Sequence, residues 1–548
     1  ENSTWIYIDG IKVRGSSSLP KSAIEEISVI TGGIPANIGD ATGGVINISL
    51  RSASAKYTGG VELITSGVKS GETAVGLDRY GYNLIEGSLS GPLYSKVSED
   101  GLKTPVLGFF LSGNYNTEVD PRPTFGGVVR MTEDARDRIL AAPLRQNISS
   151  DGTINGAQYN ANFLTADDFT TIPTRLNVGT QNVNLVAKID VHTGPTTTLT
   201  FGGTGAYANY ASYSRGNSLM NWENNLQNTN IDWRVYGKFS QRFNQEDGGE
   251  ESENVSALKN VYYSVMVDYS KSTSKTEDKT HKDDFFKYGH VGYFDILEQN
   301  TYEFDQTLNA MNHVGFEDTL VVFTPSIYNP NLTAINDQYF SLFDVDPYDS
   351  EDLGPYSSLL EVQNGNALLN GQAPATTYNM WTYVGTQGNT YSLSDNSQFR
   401  VSANGSADIG DHAIQMGFEY EQRRDTRFDI SPVGLWTLAR LYANSHIKEL
   451  DENSVTVDYP QGTFAYYTYD RLIGGGQFEF DRNLRLALGY DPNGNDFINT
   501  DNLDPELFTL DMFGADDLLN QGNNVVNYYG FDPYGNKAAG RPTLEDFF

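Results

Sequence analysis

The chain has no cysteine, no apolar run approaching the roughly 18 residues of a membrane-crossing helix, and barely half as many basic as acidic side chains. The first absence removes disulfides, thiolate nucleophiles and cysteine-bound zinc or iron–sulfur centres. The second excludes a helical membrane protein. The third, 37 Lys+Arg against 70 Asp+Glu for a net charge of −33, excludes a nucleic-acid binder that works by neutralising phosphates, because its field repels a polyanion. Residues 1–6 carry no initiating Met, basic leader or apolar signal core, and 541–548 look equally unfinished, so the chain is expected to be an internal portion of a longer polypeptide.

A membrane β-barrel survives these exclusions, because its strands alternate apolar and polar residues and keep mean hydropathy low. From about residue 57 such alternation recurs. Val183, Leu185, Ala187, Ile189 and Val191 oppose Asn182, Asn184, Lys188, Asp190 and His192, and the turn 193–196 leads to a second strand carrying Leu199, Phe201 and Tyr207. Ile231, Trp233, Val235 and Phe239 alternate with Asp232, Arg234, Lys238 and Arg242, and similar runs cover 107–115, 261–270, 399–407 and 414–421. A water-soluble sandwich also alternates. Charge in mid-strand on the polar face, with aromatic residues ending the apolar face, favours lipid instead. Connectors alternate between short (93–104, 193–196, 409–411) and longer (118–180, 211–229, 274–396), as in outer-membrane barrels; the acidic connector 243–259 fits less well. About nine strands are expected, with no return strand after about Phe428, and an odd number does not close as bacterial single-chain barrels do.

Helical spacing over 132–144 and 434–447 predicts short helices packed within the long loops. Chemistry is sparse. The six histidines are dispersed at 192, 281, 290, 313, 412 and 446, and Gly87-Ser-Leu-Ser-Gly91 has Leu89 where a nucleophile elbow needs serine, so no enzyme is expected. Asp491, Asn493 and Asn495, with Asp501 beyond, resemble a calcium loop, although Asp496 stands at the usual glycine position and Asn502 at the usual glutamate. Structural calcium is the one metal these residues suggest; no other cofactor is expected. The acidic run 344–352 reads as a solvated turn.

Residues 5–50 follow another pattern. Trp5–Val13 is a strand, an Asp9-Gly10 turn and a strand; Leu19–Ile27 reads as a short helix with Pro20 near its start; Ser28–Gly33 is a strand ending in Gly32-Gly33. The glycine-rich stretch 34–44 enters a strand rather than a helix and lacks the following Lys-Ser/Thr, so it is not a phosphate loop. The spaced elements Tyr7–Gly10, Ile24–Val29 and Gly39-Asp40-Ala-Thr-Gly43-Gly44-Val-Ile-Asn-Ile48 closely resemble the C-terminal end of the plug domain of TonB-dependent outer-membrane transporters. Looser matches at 87–92, 430–436 and 508–513 resemble the Oar-like and SusC-like receptors of Bacteroidota.

The resemblance implies an all-β membrane barrel. Residues 1–52 would be the C-terminal part of the plug, and 53–548 roughly the first half of a 22-stranded antiparallel transmembrane β-barrel with long extracellular loops. It implies an integral outer-membrane importer of a bulky nutrient, an oligosaccharide or peptide, driven by TonB–ExbB–ExbD through plug rearrangement. A SusD-like surface lipoprotein and outer-membrane lipid are the further partners. Ligand contacts are expected from the plug turn 32–44 and from loop aromatics Trp222, Tyr339, Phe340, Tyr348, Trp381 and Trp436. Glu25, Glu26, Arg51 and Lys56 are expected to pair weakly with lumen charges such as Arg234, Lys238, Arg242, Glu419 and Glu421. The alternative is an Oar-like scaffold in a secretion or outer-membrane assembly complex.

Overall fold

The computed structural model describes residues 4–13, 18–34, 38, 43–71, 73–97, 103–194, 196–243, 258–343, 357–460, 462, 464–519 and 524–538; Gly39, Asp40, Tyr348 and the acidic runs 244–254 and 344–352 lie outside the described residues. Four N-terminal strands form a small sheet in the order β2-β1-β4-β3: β1 Thr4–Ile8, β2 Ile11–Val13, β3 Ile24–Ile30 and β4 Gly44–Leu50. Asp9 and Gly10 turn β1 into β2 with φ of 50° and 84°, the left-handed pair that a tight hairpin requires. Gly44 opens β4 at φ 134°, where a Cβ would lie 2.8 Å from the Ile30 carbonyl oxygen, so a side chain does not fit. The helix expected over 19–27 is corrected: only Lys21–Ala23 winds, as one 3-10 turn, and Ile24 already pairs with Leu50. The β-branched residues 24, 27, 29 and 30, with β4 as ladder partner, outweigh the helix-start signal of Pro20.

From Thr58 an antiparallel meander follows, each strand paired with the next: β5 Thr58–Thr65, β6 Asn83–Val97, β7 Lys103–Glu118, β8 Thr180–His192, β9 Thr197–Ala211, β10 Gln227–Phe243, β11 Leu258–Glu277, β12 Tyr391–Ile409 and β13 His412–Arg424. β14, Arg427–Ile430, continues beside β12, and β15, Val526–Tyr529, pairs with β14. The sheet thus has eleven strands, the last two of four residues each, and β15 is the return strand not foreseen after Phe428. Among the described residues β5 and β15 do not pair, so the sheet is open.

Strand parity gives the sheet two unlike faces. Leu185, Ile189, Phe201, Val235, Val267 and Phe418 are large, apolar and exposed on one, while Glu86, Ser112, Asn184, Lys188, Asp190, Asp268 and Arg400 are buried on the other. A water-soluble sheet buries its apolar face instead. The small sheet lies on the polar face.

Because the meander alternates direction, connectors 66–82, 119–179, 212–226, 278–390 and 431–525 all leave at one end, and 98–102, 193–196, 244–257 and 410–411 at the other. The long ones are folded. Thr132 caps the helix Glu133–Ala141 by accepting the Ala135 N–H. The connector expected as one loop over 274–396 contains the hairpin Gly292–Asp305 with Ala310–Pro325 and the helix Pro330–Leu342. The helix from Gly434 ends at Tyr442, since Asn444 turns left-handed at φ 59°. Two cores form here, one around Phe294, Leu332, Ile335 and Tyr339, the other around Phe286, Trp436, Phe480 and Phe513. No described helix is long and apolar enough to cross a membrane.

Candidate functional site

The site is the seam between the small sheet and the polar face beneath it. The β1–β2 turn projects the Asp9 carboxylate onto the large sheet. One oxygen accepts the Leu50 N–H at 2.8 Å; the other accepts Lys188 Nζ at 3.1 Å and the Tyr236 hydroxyl at 2.9 Å. Lys188 also donates to Ser52 Oγ at 3.2 Å. Asp190, two residues along the same face of β8, accepts the Ala53 N–H at 3.1 Å and the Thr200 hydroxyl at 2.7 Å. A second anchor comes from β6, where the Glu86 carboxylate accepts the backbone N–H groups of Lys21 at 3.3 Å and Ser22 at 2.6 Å, and the Asn114 amide at 3.1 Å. These are the free donors at the start of the 3-10 turn, which a carboxylate satisfies well. Ser22 Oγ lies 2.8 Å from Ser112 Oγ.

Apolar clusters across the seam are small: Ile8, Val13, Ala23 and Leu50 meet Phe110 and Val186, and Ile11 meets Tyr236 and Met266. Elsewhere the seam is charged or open. Arg400, fully buried, donates from Nε to Asp268 at 2.8 Å, and a cavity of about 290 Å³ separates Val13 and Leu19 from Asp232, Arg234, Gln398 and Arg423. Such a seam parts at a lower cost than a core, because water replaces its hydrogen bonds and little apolar area is uncovered.

The charge pairs expected across it are corrected. Glu25 and Glu26 are exposed, Arg51 turns back to the Ile24 carbonyl, and among the described residues none of these pairs with Arg234, Lys238, Arg242, Glu419 or Glu421. Among the described residues, the polar side chains that do reach the wall are Asp9, Ser22 and, at the exposed edge, Lys21, whose Nζ lies 3.3 Å from Glu62; Asp9 stands in the sequence as a turn and motif residue. Of the glycines in the same motif, Gly10 shapes the β1–β2 turn and Gly44 the start of β4, while Gly32 and Gly33 stand in open space after β3 and Gly43 precedes β4.

The structure places the loop aromatics Tyr339, Phe340, Trp381 and Trp436 in or against the connector cores. Trp436 is fully buried and donates Nε1–H to the Phe286 carbonyl at 3.0 Å; Tyr339 is fully buried; Trp222 is buried beneath Arg130 and Arg136. Phe340 stacks on Phe323 with ring centroids 5.4 Å apart, and Trp381 packs against the same core. Connectors this long need cores of their own, and these rings supply them.

The calcium-like loop is held by protein groups. Asn444 exchanges hydrogen bonds with the Ile498 backbone, Gln477 donates to the Pro492 carbonyl, and His446 Nε2 lies 3.1 Å from the Gly494 carbonyl. Asp501 points inward to Arg440 Nε at 2.6 Å, away from exposed Asn493 and Asn495, and burial raises its carboxyl pKa against the pull of Arg440. Asp491 instead accepts the Asn493 N–H at 3.0 Å. Among the described residues no three His, Asp or Glu side chains converge as a metal cage. Ser90, in the elbow-like run, donates to the Phe109 carbonyl and accepts the Ser54 N–H, a structural role.

No protein-family model matches the chain, and no curated protein matches it in sequence. Solved structures do align with it. The unliganded ferric citrate transporter FecA is 12% identical over 78% of this chain and 48% of its own, with a TM-score of 0.31. The siderophore receptor PirA from Acinetobacter baumannii is 12% identical over 78% and 50%, TM-score 0.30, and the siderophore receptor PiuA from the same organism 11% over 78% and 54%, TM-score 0.26. The chain spans about half the length of these structures.

Proposed function

We propose that the chain is part of a TonB-dependent outer-membrane importer, in which the small sheet belongs to a plug and the large sheet to the barrel wall. One observation carries this reading: the large sheet is inverted, with its apolar face exposed and its polar face covered by a separate sheet held through hydrogen bonds and one buried ion pair. The motif resemblance of residues 7–48 points the same way. The ligand is a bulky nutrient, an oligosaccharide or peptide, met first by the folded long connectors on the cell surface, where a SusD-like lipoprotein would act as a lid. TonB–ExbB–ExbD would supply the pull that parts the seam. The protein acts as a carrier, not an enzyme.

Planar-bilayer conductance of the full-length protein tests the reading. The intact protein is expected to be silent, and the same protein without residues 1–52 to conduct. A deletion variant that keeps heat-modifiable, barrel-like migration yet stays silent would refute it. A scaffold in a surface or assembly complex is the second reading, favoured by the two folded hydrophobic cores at the long-connector end. It would gain if the deletion left a stable outer-membrane complex intact and no conductance appeared.

A further inference from the structure

We propose that Asp9 is the catch that holds the small sheet against the wall, and that on release the sheet swings about the edge anchored by Glu86 rather than leaving as a body. This rests on the importer reading above and adds which contact breaks and which stays.

The two anchors differ in what their rupture leaves behind. When Asp9 withdraws, it turns toward water. Lys188 keeps Ser52 Oγ, and Asp190 stands two residues away on the same face, so the ammonium stays on the wall with a carboxylate beside it. No buried charge is stranded. Glu86 has no such alternative. It is 4% exposed, it accepts two backbone N–H groups of the small sheet, and the residue directly opposite it on β5 is another acid, Glu62, whose partner is the small sheet's Lys21 Nζ at 3.3 Å and would leave with the turn. Pulling the 3-10 turn away would leave a buried carboxylate with Asn114 and a like charge across the ladder, which is unfavourable.

The chain path agrees. Residues 51–57 link β4 to β5, and β5 pairs with β6, the strand that carries Glu86. The covalent tether starts against β8, where Ser52 and Ala53 meet Lys188 and Asp190, and ends on the strand paired with the firm anchor. Asp9 reaches β8 and β10, and Ile11 reaches Met266 on β11, so a swing uncovers the wall progressively from β11 toward β6.

Residues 1–548 hold no cysteine, so engineered ones report directly; the test uses the full-length protein in detergent, with any cysteine outside these residues replaced by serine and fluorescein maleimide as the probe. Met266→Cys reports the catch side and Ser112→Cys the pivot side; the native side chains are 5% and 1% exposed. Asp9→Asn or Lys188→Met is expected to speed labelling at position 266 at least tenfold and to change labelling at 112 less than twofold, with Lys188→Arg restoring the slow rate. Unchanged labelling at 266 would overturn the catch. Equal acceleration at both positions would overturn the pivot, since the sheet would then be leaving as a body. Either result with a conducting deletion variant leaves the importer reading standing; a silent deletion variant refutes that reading whatever the labelling shows.

Discussion

Replacing Val235 by arginine separates a lipid-facing sheet from a water-facing one. On β10 the apolar positions run from Ile231 through Trp233 and Val235 to Phe239. Eight steps of about 3.3 Å make about 26 Å along the strand, or about 20 Å of height at a tilt of about 40°. That approaches the band of about 25 Å on outer-membrane barrels, and Val235, 51% exposed, lies at its middle. Arginine at a bilayer midplane costs about 2–4 kcal/mol, or about 30- to 900-fold in the folding equilibrium, whereas the same change on a water-washed sheet stays within about 0.5 kcal/mol. Reversible urea unfolding in phosphatidylcholine vesicles, followed by tryptophan fluorescence, measures the difference. A loss below about 0.5 kcal/mol for V235R in vesicles would refute the lipid-facing assignment.

Two further outcomes concern the folded connectors. Burial among aromatic rings lowers the His290 pKa to about 4, against the pull of Asp504, while Nδ1 lies 2.9 Å from Ser326 Oγ. The unfolded chain therefore takes up a proton that the folded one refuses: stability is full above about pH 6.5 and falls toward pH 4, by up to about 3 kcal/mol. Acid unfolding of the connector core should follow this slope and flatten in His290→Gln; an unchanged slope would contradict it. Asp501→Asn should destabilise the same region by about 3 kcal/mol through the loss of the Arg440 pair, and a calcium chelator should leave its melting temperature unchanged. A fall with chelator that calcium reverses would instead place Asp501 on a metal.

Period-two alternation is local, so the long strands could be read from runs such as Val183–Val191. β15, with four residues, offers too few positions to show a period. Ile24–Ile30 misled because the helix-start signal is local while the ladder with β4 is not. The anchors were hidden for the same reason: Asp9 meets residues 179 and 227 positions away, and Glu86 meets main-chain donors that no residue type advertises. Aromatic residues in long connectors suit ligand stacking and core packing equally in composition, and only burial separates the two. Trp222, Tyr339 and Trp436 fall on the core side.

Cysteine mapping in intact cells tests the central claim most directly. A membrane-impermeant maleimide should label Leu308→Cys, at the tip of the long-connector hairpin, at once. Asp411→Cys, in the opposite short turn, should label only after the outer membrane is permeabilised, and Ile189→Cys, on the apolar face, only once the protein is unfolded. Labelling of positions 189, 308 and 411 at equal rates in intact cells would contradict the account, since all three would then face the same water.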